Sequence, residues 1–170
     1  MKILSALLAL LLAWPIAAGA APRSAKSSAI GAGIRVHPAH KEFGLVPYDD
    51  DLSYRVCYEY HEAIALWQLA LNYLPNASAL PIDEVLTPEL NLLFKDGIWR
   101  GGIGVLSSYV KVLGESEWTD VYFQFLLGIE FPVGPLHLQV QAIYPFEDFD
   151  ALGDFTFDDM EYGALLSWPF

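Results

Sequence analysis

The stretch VYFQFLLGIEF, Val121 to Phe131, decides the fold. Val121, Phe123, Phe125, Leu127, Ile129 and Phe131 are all apolar, and they alternate with Tyr122, Gln124, Leu126, Gly128 and Glu130. A period of two sends successive side chains to opposite faces, which is the geometry of a strand. Trp67, Leu69, Leu71 and Tyr73 repeat the pattern against Gln68, Ala70 and Asn72. Working outward, the same test predicts strands near 29–37, 52–61, 64–74, 85–95, 98–110, 119–131, 136–145 and 159–170. Several approach the ~9–11 residues that a tilted membrane strand requires.

The connections between these strands alternate in length. Glu62-Ala63, Asp96-Gly97 and Pro132 to Pro135 read as tight turns, Asp-Gly because it tolerates positive φ. Pro38 to Asp51, Leu74 to Glu84, Lys111 to Trp118 and Phe146 to Asp158 read as long, acidic loops. Short turns at one end and long loops at the other suit an up-and-down barrel that crosses a membrane.

Eight-stranded barrels also exist in water with the alternation reversed, as in lipocalins. Volume separates the two readings. One face carries Leu, Phe, Trp, Tyr and Ile, and the other carries Gly31, Gly33, Gly102, Gly104, Gly128 and Gly163 among Gln, Ser, Asn and a few charges. An eight-stranded barrel has room only for its own filling, so the bulky face is expected outside, against lipid. Tyr54, Tyr60, Trp67, Tyr73, Trp99, Tyr109, Tyr144, Tyr162 and Trp168 fall mostly near strand ends of the apolar set, where interfacial girdles sit.

Composition agrees with an exported protein of this kind. The chain has 170 residues, Lys+Arg 9 against Asp+Glu 21, a net charge of -12 and 54% hydrophobic residues. Its acidity argues against a nucleic-acid partner. The lone Cys57 excludes an internal disulfide. Met1 and Lys2, the apolar run from Ile3 to Trp14 and the small residues Ala18-Gly19-Ala20 have the three parts of a cleavable signal peptide. The expected organisation is signal peptide 1–20, flexible lead-in 21–28 and barrel 29–170.

The chain closes with Tyr162, Ala164, Leu166, Trp168 and Phe170 alternating up to a terminal Phe. This end resembles the C-terminal assembly signal of bacterial outer-membrane β-barrels. The architecture over 29–170 resembles the small eight-stranded group that includes the transmembrane domain of outer membrane protein A, OmpX and the PagL-like lipid A deacylases. The resemblance implies an all-β, eight-stranded antiparallel up-and-down transmembrane barrel with a side-chain-filled interior. It further implies residence in the outer membrane, with long loops extracellular and short turns and C-terminus periplasmic. The implied partners are outer-membrane lipids and, during biogenesis, the barrel-assembly machinery, which would read Tyr162, Leu166, Trp168 and Phe170; a monomer is expected. Pro169 departs from the usual terminal pattern and should sit where no ladder bond is needed.

If the apolar parity faces lipid, Arg35, Arg55, Glu59, Glu89, Arg100, Glu130, His137 and Glu161 face inward, with His37 and His61 on the same parity. Buried charges must pair, and two layers are expected: Arg35, Arg55, Glu89 and Glu161 in the outer half, Glu59, Arg100, Glu130 and His137 in the inner half. Strand closure should join Glu161 to Arg35, and the Pro132 to Pro135 turn should set Glu130 directly opposite His137.

The loops hold nearly all the net charge. The first and fourth are expected to meet at the closure seam, joining Asp49, Asp50 and Asp51 to Asp148, Asp150 and Asp154 in one acidic patch. Such carboxylates offer oxygen ligands to Ca²⁺ or Mg²⁺, and residues 148–159 faintly echo a calcium loop. Leu152 stands at a ligand position and no helices flank the segment, so a solvated negative rim, with no cofactor, is the simpler reading. Phe43, Leu45, Val46, Phe146, Phe149, Phe155 and Phe157 make these loops unusually apolar, suiting them to pack over the barrel mouth or to touch a partner.

No catalytic constellation emerges. Ser107 and Ser108 lie near the outer end of the fifth strand, His37 and His40 near that of the first, and these strands are not neighbours. The His-x-Ser-Asn motif of the lipid A deacylases is absent, so no catalytic residue carries over. The expected role is a non-catalytic barrel presenting acidic, aromatic-containing surface loops. The alternatives are a lipid A or phospholipid-modifying enzyme and a carrier of small apolar molecules.

Overall fold

The computed structural model describes residues 27–39, 41–43, 46–62, 64–78, 82–150, 152 and 155–170. The expected signal peptide, most of the lead-in, His40, Leu45 and Asp154 lie outside the described residues. In chain order the strands are β1 (Ser27–Val36), β2 (Lys41–Phe43), β3 (Val46–Tyr48), β4 (Leu52–Glu62), β5 (Ala65–Leu74), β6 (Ile82–Asp96), β7 (Trp99–Leu106), β8 (Tyr109–Val112), β9 (Glu115–Trp118), β10 (Tyr122–Val133), β11 (Leu136–Phe146) and β12 (Glu161–Pro169). Eight of them, β1, β4, β5, β6, β7, β10, β11 and β12, pair antiparallel around a ring that closes on itself. The protein is an all-β, eight-stranded up-and-down barrel.

Closure is completed at the chain end. Ala29 faces Pro169 and Val36 faces Tyr162. One step beyond, Ser28 and Phe170 exchange backbone hydrogen bonds of 3.0 and 2.8 Å. The lead-in therefore gives up its last two residues to β1. Because Phe170 points its amide at β1, Pro169 points its ring nitrogen the other way, past the last β11–β12 pair at His137 and Ser167, where no donor is required.

The burial pattern repeats the two-residue period. Along β5, Trp67, Leu69, Leu71 and Tyr73 are exposed while Leu66, Gln68, Ala70, Asn72 and Leu74 are buried. Exposed Trp67, Trp99 and Trp168 stand at the short-turn end, and exposed Tyr54, Tyr73 and Tyr162 at the long-connection end. Glycines let the inner face fill: a Cβ on Gly104 would collide with the Asn91 side chain, and one on Gly33 with the Ala164 backbone.

Several sequence expectations shift. Asp96 pairs with Trp99, so the turn residues are Gly97 and Ile98, with Gly97 taking φ 60. Glu62 pairs with Ala65, moving that turn by one residue as well. Val133 pairs with Leu136 around Gly134-Pro135, so Glu130 stands opposite Gln139, and His137 opposite Pro132. The expected fifth strand divides at Ser107-Ser108, where Ser108 Oγ meets Thr87 Oγ1 at 2.7 Å. Beyond this break Lys111 to Trp118 is no loop: β8 and β9 form a hairpin whose turn residues Leu113 and Gly114 both have positive φ, as a tight hairpin turn requires. The first connection likewise folds into the β2–β3 hairpin.

Candidate functional site: the filled interior and its two ends

The inward face of the wall converges on one connected polar network. In the outer half, Arg35 bonds both Glu161 and Glu89, and Arg55 Nη2 donates to Glu89 Oε2 at 2.8 Å. Asn72, Asn91 and Gln124 donate to the same Glu89 carboxylate at 2.5, 3.2 and 2.9 Å. In the inner half, the Arg100 fork spans two carboxylates, Nη2 to Glu59 Oε1 at 2.5 Å and Nη1 to Glu130 Oε2 at 2.6 Å. Lys95 and His137 close on Glu130, His137 Nδ1 at 2.8 Å, and His61 Nε2 lies 3.2 Å from Glu59. The His137–Glu130 contact is diagonal rather than directly cross-strand, because the turn is two residues tighter than expected.

Gln68 couples the layers. Its Oε1 accepts from Arg55 and Asn91 at 3.0 Å each, and its Nε2 donates to Glu59 at 2.7 Å. Parity places the interior amides inward without naming their partners, and Lys95, which shares the inward parity of Glu89, is not singled out by the sequence. Among the described residues, Arg35, Arg55, Lys95 and Arg100 offset Glu59, Glu89, Glu130 and Glu161 one for one. That balance matters, because an uncompensated interior ion costs several kcal/mol.

The two ends differ. At the short-turn end a cavity of about 280 Å³ is lined by Glu59, His61, Lys95, Glu130, His137 and Ser167, among others. Two of these lining residues, Glu59 and Glu130, are the carboxylates that the Arg100 fork spans. At the other end the β2–β3 hairpin folds into the mouth: Val46 and Tyr48 are buried with Leu74, Ile82, Val85, Leu106, Val110 and Tyr122 in an apolar cluster. The Tyr48 ring stacks on His37 at 3.9 Å and 5°. Burial first, and then the Glu161 carboxylate, hold the Tyr48 phenol above its ordinary range.

Beneath Tyr48, His37 Nε2 meets Ser53 Oγ at 3.0 Å, and His37 Nδ1 lies 3.1 Å from Glu161 Oε1 without hydrogen-bond alignment. The composition is that of an acyl-transfer triad; the setting is not. Ser53 is 1% exposed, a ring covers the imidazole, and Glu161 is already neutralised by Arg35. A nucleophile needs a place beside it for the reacting carbonyl, and Ser53 is packed. Ser107 and Ser108 hold Thr119, through Ser107 Oγ to Thr119 O at 2.9 Å and Ser108 N to Thr119 Oγ1 at 2.8 Å.

Two of the loop aspartates hold backbone or side-chain groups of the connections. Asp51 is buried and accepts from Ser78 N and Oγ at 3.0 and 2.6 Å and from Asp49 N at 3.2 Å, while its carbonyl takes His37 N at 2.9 Å. It ties the first connection to the second. Asp148 Oδ1 accepts from Asp150 N at 2.9 Å. Among the described residues no three His, Cys, Asp or Glu gather as a metal ion would need. Replacing Asp51 with alanine is expected to free the first connection. Hydrogen bonds to a charged group contribute about 1.5–3 kcal/mol, so limited proteolysis should cut residues 38–51 faster while the barrel itself melts nearly unchanged.

The described rings of the fourth connection pack on the outer wall. Phe149 packs on Phe123 and Phe146 at 5.1 and 5.3 Å, and Phe155 on Tyr144 at 4.7 Å, all on the outward parity of β10 and β11. Tyr144, expected to be exposed in a girdle, is buried for this reason.

No family model matches the chain, and no curated protein does. Among solved structures the chain is similar to the crystal structure of Neisserial surface protein A, over 85% of this chain and 94% of that one, with 12% sequence identity and a TM-score of 0.49.

Proposed function

We propose that this chain is a bacterial outer-membrane barrel, non-catalytic and non-conducting, that holds acidic connections at the cell surface. The observation that carries the reading is the outward face. Ile30, Ile34, Val56, Leu69, Leu71, Leu90, Leu127, Val140 and Leu166 are exposed around the wall, between tryptophans at one end and tyrosines at the other. A patch of that extent is rare on a water-soluble monomer, and a barrel surrounded by hydrocarbon requires it.

The interior supports the non-conducting part. Ion pairs and amides fill the cylinder, and the β2–β3 hairpin closes its mouth. The test is to fractionate expressing cells and to reconstitute the detergent-extracted protein in planar bilayers. Recovery in the outer-membrane fraction, a gel mobility that changes on boiling and a flat current trace are expected. A monomer that stays soluble without detergent would refute the location, and steady conductance steps would refute the sealed cylinder.

A further inference from the structure

We propose that the fourth connection holds Phe149, Phe155 and Phe157 against the outside of the barrel and immerses these rings in the interfacial layer of the lipid, widening the lipid-facing surface over β10 and β11. The inference rests on the membrane reading above and adds a lipid contact from a segment outside the strands.

Parity comes first. Phe123, Phe125, Tyr144 and Phe146 all belong to the outward sets of their strands, whose inward neighbours are Gln124, Leu126 and Ile143. Tyr144 and Phe146 are nevertheless buried, at 6% and 4%, while outward Leu127 and Val140 lower on the same strands are exposed. The rings of the fourth connection are what pack on them: Phe149 on Phe123 and Phe146, Phe155 on Tyr144, and Phe157 on Phe155 at 5.1 Å. These three rings therefore lie on the outer wall.

Height comes second. Tyr73 follows Trp67 by six residues on β5, and Tyr162 precedes Trp168 by six on β12, which sets the distance between the two aromatic girdles. On β10, Ile129 is the register partner of Trp99, and Phe123 stands six residues above it. Phe123 and its partner Phe146 are thus level with the tyrosine girdle. Rings stacked on them extend the lipid-facing belt sideways at the interface, where aromatic side chains are favoured.

Exposure comes third. Phe149, Phe155 and Phe157 keep 45%, 43% and 75% of their surface uncovered, and this apolar surface is continuous with the belt through Phe123 and Phe125. Phe157 opens a short 3-10 turn whose next residues are Asp158 and Asp159. Apolar and acidic residues side by side suit a segment lying at the boundary between hydrocarbon and water.

The test uses the full mature chain with Cys57→Ala, reconstituted in phosphatidylcholine vesicles, with a nitroxide attached singly at Phe157→Cys, Leu127→Cys or Leu113→Cys. Leu127 reports the belt and Leu113 the hairpin tip. Collision with oxygen against a water-soluble nickel chelate reads the surroundings of each label. The label at 157 is expected to match that at 127, with a several-fold higher oxygen-to-nickel ratio than the label at 113. If 127 reads as lipid and 157 as water, the aromatic foot is wrong and the membrane reading stands. If 127 itself reads as water, both fall. Phe155→Cys gives the same comparison should Phe157→Cys fail to assemble.

Discussion

Glu89→Leu is expected to lower the unfolding free energy by about 3–5 kcal/mol, the cost of leaving buried charge without its partner. Glu89 is the most heavily used carboxylate in the interior, accepting from Arg35, Arg55, Asn72, Asn91 and Gln124. Arg35 would keep Glu161, whereas Arg55 would keep only the neutral Gln68 oxygen at 3.0 Å. Urea titration of the detergent-refolded protein, followed by the loss of the heat-sensitive gel form, measures the change. Adding Arg55→Met to Glu89→Leu should restore much of it, since an apolar replacement of both partners removes the orphaned ion. A single variant that unfolds with the parent would show that the network contributes nothing to stability.

Leu127→Arg carries the second large effect. Leu127 lies midway along β10 and is 58% exposed. In water, an arginine at an exposed site changes stability by about 0.5 kcal/mol or less. On the lipid face of a barrel, near the bilayer midplane, the penalty is about 2–4 kcal/mol, falling to about 0–1 near the interface. Val121, equally exposed but just above the end of β10, supplies the comparison. Refolding into vesicles should therefore be strongly impaired by Leu127→Arg and little by Val121→Arg. Equal, small effects at both positions would contradict a hydrocarbon-facing wall.

These expectations trace back to what alternation can and cannot carry. Period two over 121–131 was enough to separate Leu127 from Glu130, because one register places every side chain of a strand. Pairing around the ring then brought Arg35 to Glu161 across β1 and β12. Turn positions were less accessible. Asp96-Gly97 and Gly97-Ile98 both place a glycine in a two-residue turn, and only the partner strand distinguishes them. That single-residue uncertainty, doubled at Gly134-Pro135, displaced the Glu130–His137 contact from opposite to diagonal.

The interior amides were missed for a different reason. Gln68, Asn91 and Gln124 carry no charge to demand a partner, so parity marked them as inward without saying what they join. The apolar cluster under the mouth, with Leu74, Val85, Leu106 and Val110, departs from the polar inward face that the sequence suggests; Val46 packs there as its apolar character suggests, but Tyr48 belongs to a connection with no period of its own. The Tyr144 error has the same origin, since strand alternation cannot show a distant loop folding back over the outward face.

The closing seam makes demands on the order of events. The β12 edge that accepts β1, from Ala29 against Pro169 to Val36 against Tyr162, is finished only by the terminal residue, whose amide and carbonyl both go to Ser28. Until then the same row of donors and acceptors is open to any other strand. Any strand that paired with that edge would use the hydrogen bonds that β1 makes in the closed ring. A chain lacking Phe170 would lose both of the backbone hydrogen bonds that extend the seam to Ser28.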